Sequence, residues 1–151
     1  MSDLVETRLI GNVGLVQMNR PEKRNAMNSA LLEALIGVLG DFRADSSADA
    51  VVITGAGGAF SAGADTAEQT DPASALARVR LFNRLYEQVS GYPKPTVAAI
   101  DGPCIGGGAE VATACDLRVG TPRAVFRFPG AQLSIPVGAA RLPLLVGLSH
   151  A

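Results

Sequence analysis

Residues 96–114 read TVAAIDGPCIGGGAEVATA. The first five are small or β-branched, which is typical of a buried strand, and the three consecutive glycines precede a stretch that favours a short helix ending near Ala114. The same order occurs earlier, where a buried strand is predicted at 49–54, a glycine-rich loop at 55–65 and a helix after Asp71. Alternating strands and helices predict an α/β fold.

Local patterns also predict the elements at the start of the chain. A Gly11-Asn12 pair between two apolar runs is typical of a tight β-hairpin. Apolar residues spaced by three and four then predict a helix from Ser29 to Phe42, with Asn28 or Ser29 as its N-cap.

Similar signals cover the rest of the chain. The helix after the glycine-rich loop runs to about Val89, short strands are expected at 116–119 and 124–128, and a final apolar helix at 138–146. The apolar stripe of the helix that ends near Val89 consists of Leu76, Val79, Phe82, Leu85 and Tyr86. No linker or low-complexity segment divides these elements, so residues 1–151 are predicted to form a single domain.

Charge and apolar content exclude several classes of protein. Thirteen Lys and Arg against fourteen Asp and Glu give a net charge of −1, so no broad basic face is available for a nucleic acid or an anionic membrane. With 48% apolar and 18% charged residues the chain is too apolar for disorder, yet no apolar run reaches the roughly 18 residues of a membrane span. Residues 1–6 carry acids and lack a secretory signal pattern. We expect a cytoplasmic protein.

Histidine and cysteine usage narrows the chemistry further. The sequence has one histidine, His150, next to its last residue, which disfavours Ser-His-Asp hydrolases, Cys-His proteases and zinc enzymes that use histidine ligands. Cys104 and Cys115 lack the spacing of a metal site or a redox pair, and two buried thiols in a reducing compartment are expected. We predict no metal site. Any chemistry must then use carboxylates and the backbone.

The two glycine-rich loops do not match the common phosphate-binding fingerprints. The earlier loop reads Gly55-x-Gly57-x-x-Phe60 and lacks the third glycine of a dinucleotide site, and no Gly-Lys-Ser/Thr sequence of a P-loop occurs. One interpretation is that these glycines only supply positive φ angles or close packing. A more specific one is that Gly106 to Gly108 leave backbone N–H groups open at a helix start, as in an oxyanion site.

An acidic residue follows the second loop at a suggestive distance. Glu110 lies three residues after Gly107, which is about 4.5 Å along a helix and suits a carboxylate beside a bound carbonyl. The simpler alternative is that an acid in the first turn complements the helix dipole. Asp116 lies about 240° around the helix from Glu110, so it is predicted to be structural.

Four motifs, taken together, resemble the crotonase (enoyl-CoA hydratase/isomerase) family in order and spacing. The resemblance covers essentially the whole chain. Its motifs are RPEKRNAMN at 20–28, ITGAGGAFSAGAD at 53–65, KPTVAAIDG at 94–102, and GGGAE at 106–110 followed by Cys115-Asp116.

The resemblance implies a fold of ββα units wound into a superhelix, an acyl-CoA thioester as substrate, no separate cofactor, and a homotrimer or hexamer. It implies that the N–H groups of Ala64 and Gly107 hold the thioester oxygen and that Glu110 is the catalytic acid/base. The residues it places beside coenzyme A are Lys23, Arg24, Ala62, Gly63, Ala64 and Asp65, with Gly107 at the thioester.

The sequence departs from the family pattern at two places. Residues 128–134 read FPGAQLS, so Gly130 stands where hydratases carry a second catalytic glutamate, and Arg127, Gln132 or a bound water are candidate substitutes. The resemblance also implies that most of the C-terminal helical portion is missing after the segment ending at Gly147. Apolar residues near that point are then expected to be exposed, namely Leu142, Leu144, Leu145, Val146 and Leu148.

The leading hypothesis is therefore an enoyl-CoA hydratase- or isomerase-like enzyme that stabilises a thioester enolate in a backbone oxyanion hole, with Glu110 as acid/base. The alternative is a non-catalytic acyl-CoA-binding or assembly module, which Gly130 and the short chain motivate. A dinucleotide-binding domain is a third interpretation, which the missing fingerprint disfavours.

Overall fold

The computed structural model describes residues 4–69, 71–133 and 141–150. Five strands form the main sheet in the order β1-β2-β3-β4-β6, and two more form a second sheet, β5-β7. The strands are β1 Val5–Ile10, β2 Val13–Met18, β3 Ala50–Gly55, β4 Thr96–Ile100, β5 Pro103–Ile105, β6 Leu117–Gly120 and β7 Val125–Arg127. The predicted α/β class is confirmed.

The main sheet combines one hairpin with parallel strands. Strands β1 and β2 pair antiparallel around Gly11, whose φ of 61° suits the tight turn predicted there. The pairs β2-β3, β3-β4 and β4-β6 are all parallel. Parallel pairing brings the carboxyl ends of β3 and β4 to one edge of the sheet. The first glycine-rich loop begins there, and β4 leads through β5 to the second.

The described residues form four helices, of which the first three connect strands. They are α1 Ser29–Ala44, α2 Pro72–Ser90, α3 Gly107–Ala114 and α4 Leu142–Val146, and two short 3₁₀ turns lie at Pro21–Lys23 and Pro129–Leu133. Asn28 and Asp71 cap α1 and α2, since their side chains accept the N–H groups of Leu31 and Ser74. Of the two N-caps considered for α1, Asn28 is therefore the correct one. The final helix predicted at 138–146 lies partly outside the described residues.

A ββα pattern recurs along the chain. Strands β1 and β2 precede α1, and β4 and β5 precede α3. Between them β3 is followed by an isolated bridge at Ser61, which pairs parallel with Cys104 of β5, and then by α2. The first unit places both of its strands, β1 and β2, in the main sheet. The second and third units place one strand each there, β3 and β4, and pair a second segment, at Ser61 and β5, with each other. This arrangement agrees with the expected superhelix of ββα units.

The core lies between α1, the main sheet and the inner faces of α2 and α3. The largest fully buried side chains include Phe60, Met18, Met27, Leu31, Leu35, Leu39, Ile53 and Leu85. The predicted stripe on α2 is only half right. Leu85 is buried and Phe82 and Tyr86 are half-buried, but Leu76 and Val79 are each 53% exposed.

Several apolar side chains outside the core are exposed. Leu117 and Val119 on β6 and Val125 and Phe126 on β7 face outward. The exposure expected near the end of the chain is confirmed for Leu144, Leu145, Val146 and Leu148, whereas Leu142 is half-buried. Among the helices described, none has the length and apolar character needed to cross a membrane.

The two cysteines flank α3. Cys104 lies on β5 and Cys115 caps the C-terminus of α3, and both thiols are free and buried, as predicted. Burial, with a smaller contribution from the neighbouring Cys115, raises the pKa of Cys104 to about 12. Burial likewise raises the pKa of Cys115 to about 12. Both thiols therefore stay protonated and unreactive in the folded state.

Gly55 marks a point where the chain tolerates no side chain. A Cβ there would lie 2.2 Å from the Ala59 oxygen and 2.3 Å from the Phe60 oxygen, both on the backbone. We expect Gly55→Ala to lower the free energy of unfolding by about 3 kcal/mol, the upper range for overpacking. The matched control is Gly37→Ala in α1, where nothing lies within 4 Å, and a gain of about 0.5–1 kcal/mol is expected. Urea unfolding measures the free energy of unfolding of both variants. Equal effects would contradict the conclusion that Gly55 has no space for a side chain.

Candidate active site

The loop after β2 is tied to the glycine-rich loop after β3 by one buried side chain. Asn25 is fully buried, its Nδ2 donates to the backbone oxygens of Ala56 and Ala59 at 2.9 and 2.8 Å, and its Oδ1 accepts the Arg20 N–H. The Ala62 N–H also donates to the Arg24 oxygen at 2.8 Å. Residues 20–25 and 55–65 therefore form one connected surface.

Ser61 joins the glycine-rich loop to β5. Its backbone N–H donates to the Pro103 oxygen at 3.0 Å, and its oxygen accepts the Ile105 N–H at 2.9 Å. The buried hydroxyl donates to the Asn25 oxygen at 2.7 Å and accepts the Gly63 N–H at 3.1 Å. One residue thus fixes the spacing between the two glycine-rich loops.

The two loops meet through their glycines. A Cβ on Gly63 would lie 2.7 Å from the Ile105 oxygen and 3.3 Å from the Gly107 nitrogen, and Gly63 has a φ of 89°. A Cβ on Gly108 would lie 2.6 Å from Cβ of Ser61. Only glycine permits this approach, so close packing, part of the simpler interpretation of the loops, is confirmed at both positions and a positive φ at Gly63.

The same packing leaves two N–H groups available. Met27 pairs with the chain on either side of Ala64, donating to the Gly63 oxygen and accepting from the Asp65 N–H. Neither the Ala64 N–H nor the Gly107 N–H donates a hydrogen bond within the described part of the chain. Ala64 is exposed and Gly107 is half-buried at the start of α3, so a ligand can reach both.

A buried ion pair holds the loop beside Ala64. The Arg20 guanidinium donates to Asp65 Oδ2 at 3.0 Å and to the Ala26 oxygen at 2.6 Å, and the two charged side chains are only 13% and 11% exposed. Burial alone raises the pKa of Asp65, but the Ala67 N–H and Arg20 outweigh it and hold the pKa below its usual range. Asp65 is therefore a structural anion here.

A second ion pair extends this support toward the helices. Glu68 accepts the Ser29 N–H at the start of α1 and pairs with Arg78 of α2 at 2.9 Å. Arg78 also donates to the Asp65 oxygen at 3.0 Å. The pKa of Glu68 is lowered by these donors against the opposing effect of burial. The segment from Asp65 to Glu68 is thus held at both ends.

Glu110 lies on the first turn of α3, and the residue is 7% exposed. Its Oε2 is 3.6 Å from Nη1 of Arg141, a side chain that the sequence did not single out. The same guanidinium lies 5.6 Å from the ring centre of Tyr86 and donates to the Ser90 hydroxyl at 3.1 Å. Acids in the first turn of a helix are usually solvent-exposed, whereas Glu110 is buried with a cation beside it.

Three side chains surround Gly107. A Cβ there would lie 2.8 Å from Phe82 Cε1, 3.0 Å from the Tyr86 hydroxyl and 3.1 Å from Met27 Cε. Phe82 and Tyr86 are one turn apart on α2, with ring centres separated by 5.9 Å. The half-buried part of the α2 stripe therefore faces the start of α3, which periodicity alone could not distinguish from ordinary core packing.

The remaining predicted site residues lie at the first 3₁₀ turn and around the second. Lys23 and Arg24 are exposed on the first 3₁₀ turn and its end. Gly130 is buried in the second 3₁₀ turn. The strand before it, β7, is joined to the site because the Arg127 backbone oxygen accepts the Gly106 N–H at 2.8 Å. The side chains of Arg127 and Gln132 are exposed and pair with each other at 3.3 Å.

Asp116 has the structural role predicted for it. Its carboxylate accepts the N–H and the hydroxyl of Thr96, both at 2.8 Å, which joins the end of α3 to the start of β4. These hydrogen bonds lower the pKa of Asp116. Across the described ranges, no three His, Cys, Asp or Glu side chains cluster closely enough to hold a metal ion.

Comparison with known proteins places this geometry in a family. A family model described as enoyl-CoA hydratase/isomerase matches residues 9–151. The chain belongs to the enoyl-CoA hydratase/isomerase family. The short-chain-enoyl-CoA hydratase of Clostridium acetobutylicum is 37% identical over 93% of the chain and 56% of its own length. The mitochondrial Δ(3,5)-Δ(2,4)-dienoyl-CoA isomerase of Rattus norvegicus is 37% identical over 87% of the chain and 45% of its own length.

Solved structures of the enoyl-CoA hydratase/isomerase family share the fold. The enoyl-CoA hydratase from Bacillus anthracis superposes with a TM-score of 0.92 and 32% identity, covering 97% of this chain and 60% of that one. The predicted crotonase-like fold is thus confirmed. The chain spans about half the length of the curated relatives it matches.

Proposed function

We propose that this family member acts on an acyl-CoA thioester by stabilising its enolate, with the N–H groups of Ala64 and Gly107 as the oxyanion hole and Glu110 as the acid/base. The observation that carries the proposal is the meeting of the two loops, where Gly63 lies against the Gly107 nitrogen and both N–H groups remain open. Names of the relatives, which include hydratases and a dienoyl-CoA isomerase, favour an enzyme over the non-catalytic module.

The chemistry follows from charge development on the thioester oxygen. When a proton leaves the α-carbon, or a nucleophile adds at the β-carbon, negative charge collects on that oxygen. Two backbone donors fixed before the reaction stabilise the charge without reorganisation, by about 3–4 kcal/mol for each donor. Glu110 receives or returns the proton, and its carboxylate lies 3.6 Å from the Arg141 guanidinium.

The exposed cations of the first loop supply the expected contact with coenzyme A. Lys23 and Arg24 lie on the surface, and the Arg24 backbone is joined to Ala62 by a 2.8 Å hydrogen bond. This hydrogen bond joins the two segments that we propose bind the coenzyme A part of the substrate, residues 23–24 and 62–65. Guanidinium and ammonium groups suit its phosphates.

Gly130 shapes the reaction type. A glycine has no proton to transfer, so the water addition that uses two carboxylates loses one of them. Single-carboxylate proton transfer, as in a double-bond isomerisation, needs only Glu110, because the proton taken from one carbon is returned to another. We therefore favour isomerase-type chemistry within the family.

A homotrimer or hexamer is the proposed assembly, in which exposed apolar residues such as Leu117 and Val119 are covered.

The test is a panel of enoyl-, dienoyl- and hydroxyacyl-CoA thioesters with product identification, run beside a measurement of particle mass. Isomerised product supports the proposal. Binding of the thioesters in calorimetry without turnover of any of them would establish the non-catalytic module. Tighter binding of NAD than of coenzyme A would overturn both.

A further inference from the structure

The Tyr86 hydroxyl lies next to Gly107, the first residue of α3. Its oxygen is 3.0 Å from the position that a Cβ on Gly107 would take, so it is close to the residue whose backbone N–H is an open donor. Phe82 and Met27 line the remaining sides of the same position. The hydroxyl is the polar atom of this otherwise apolar wall.

The second observation concerns the hydrogen bonding of the Tyr86 hydroxyl. Within the ranges that the structure describes, no hydrogen bond joins Tyr86 to another residue. A tyrosine whose ring packs into the protein usually finds a hydrogen-bond partner for its hydroxyl. The other tyrosine follows this rule, because Tyr92 donates to the Leu39 oxygen at 2.6 Å.

The surroundings keep this hydroxyl a donor. Burial, followed by the nearby Glu110 carboxylate, raises the pKa of Tyr86 well above its usual range, against a smaller opposing effect of Arg141. The group therefore stays protonated at neutral pH. Arg141 lies 5.6 Å from the ring centre, and a cation over the ring face draws electron density from the oxygen and strengthens its hydrogen bond.

We propose that the Tyr86 hydroxyl is a further catalytic group, a third hydrogen-bond donor to the thioester oxygen beside the Gly107 N–H. The inference rests on the proposed function and adds a side-chain donor to the two backbone donors. The proton stays on Tyr86 throughout. What changes is the strength of the hydrogen bond, which grows as negative charge accumulates on the substrate oxygen.

The test is Tyr86→Phe, with Tyr92→Phe as the matched control. Phenylalanine keeps the ring between Phe82 and Arg141, so the fold is preserved and thermal unfolding checks this. We expect kcat to fall about 10- to 100-fold with KM changed less than about threefold, because the lost hydrogen bond is strongest in the transition state. Tyr92→Phe lowers stability and leaves kcat unchanged. Unchanged kcat in Tyr86→Phe would assign Tyr86 to packing alone.

A second readout is independent of turnover. The infrared carbonyl band of bound crotonyl-CoA, labelled with carbon-13 at the thioester carbon, moves to lower frequency when donors polarise the bond. Tyr86→Phe should bind the ligand and show a smaller shift than the unsubstituted protein and Tyr92→Phe. An equal shift in all three overturns the role of Tyr86 and leaves the two backbone donors in place. Absence of a shift in every protein overturns the oxyanion hole itself, and Tyr86 with it.

Discussion

Glu110→Gln is expected to lower kcat by about 10²- to 10⁴-fold, the range that a positioned acid/base contributes. Glutamine has nearly the same shape but no proton to exchange, so the substrate is still bound and its carbonyl still polarised. KM or the dissociation constant for coenzyme A should therefore change little. Steady-state kinetics on whichever thioester the panel identifies, together with calorimetry, measures both quantities.

Glu87→Gln provides the matched control. Glu87 lies on α2, exposed, next to Tyr86 in sequence, and the change removes the same charge from the chain. Kinetics close to those of the unsubstituted protein are expected for it. If Glu110→Gln retained activity, the carboxylate would have no part in proton transfer, and the acid/base assignment would have to be abandoned.

Arg20→Met is expected to lower the free energy of unfolding by about 3–5 kcal/mol, because it leaves the Asp65 carboxylate buried without its cation. The Ala26 oxygen loses a donor as well. Arg8→Met is the control. Arg8 pairs with Glu6 at 3.7 Å with side chains 68% and 46% exposed, and its removal should cost less than about 1 kcal/mol. Urea unfolding at neutral pH compares the two variants.

The same pair predicts the sign of a pH effect. Because the folded-state pKa of Asp65 is below its usual range, its contribution to stability is present above a pH of about 4 and is lost as the pH falls through the folded pKa. Removing Arg20 takes away a group that keeps the pKa low. Between neutral and acidic pH, the free energy of unfolding should therefore fall less in Arg20→Met than in the unsubstituted protein. An identical slope would mean that Arg20 does not hold the charge of Asp65.

Local signals predicted most of the fold and the positions of the loops. Gly11-Asn12 marked the hairpin, Asn28 was one of two candidates for the α1 cap, and apolar runs marked β3 and β4 within a residue or two. These features depend on residues close together in sequence. The meeting of the two glycine-rich loops depends instead on tertiary pairing, since β3 lies parallel to β4 and Ser61 pairs with Cys104 of β5.

The charge partners in the site could not be predicted in this way. Arg20 and Asp65 are 45 residues apart, and Glu110 meets Arg141 from the far end of the chain. No local period encodes such pairs. The prediction that the whole α2 stripe is buried was partly wrong for a related reason. Periodicity shows that side chains share a face but not whether another element covers that face. Leu76 and Tyr86 satisfy the same spacing, and only Tyr86 reaches Gly107.

The two buried, protonated thiols can report how often the chain around α3 opens. Cys104 and Cys115 flank the segment from Gly106 to Glu110, and neither can react with an alkylating reagent while it stays buried. Iodoacetamide therefore modifies them only in molecules where this part of the chain has transiently opened. The rate of modification, compared with that of a free thiol, gives the free energy of that opening without any probe being added. A ligand that tightens the two loops should slow the reaction at both cysteines.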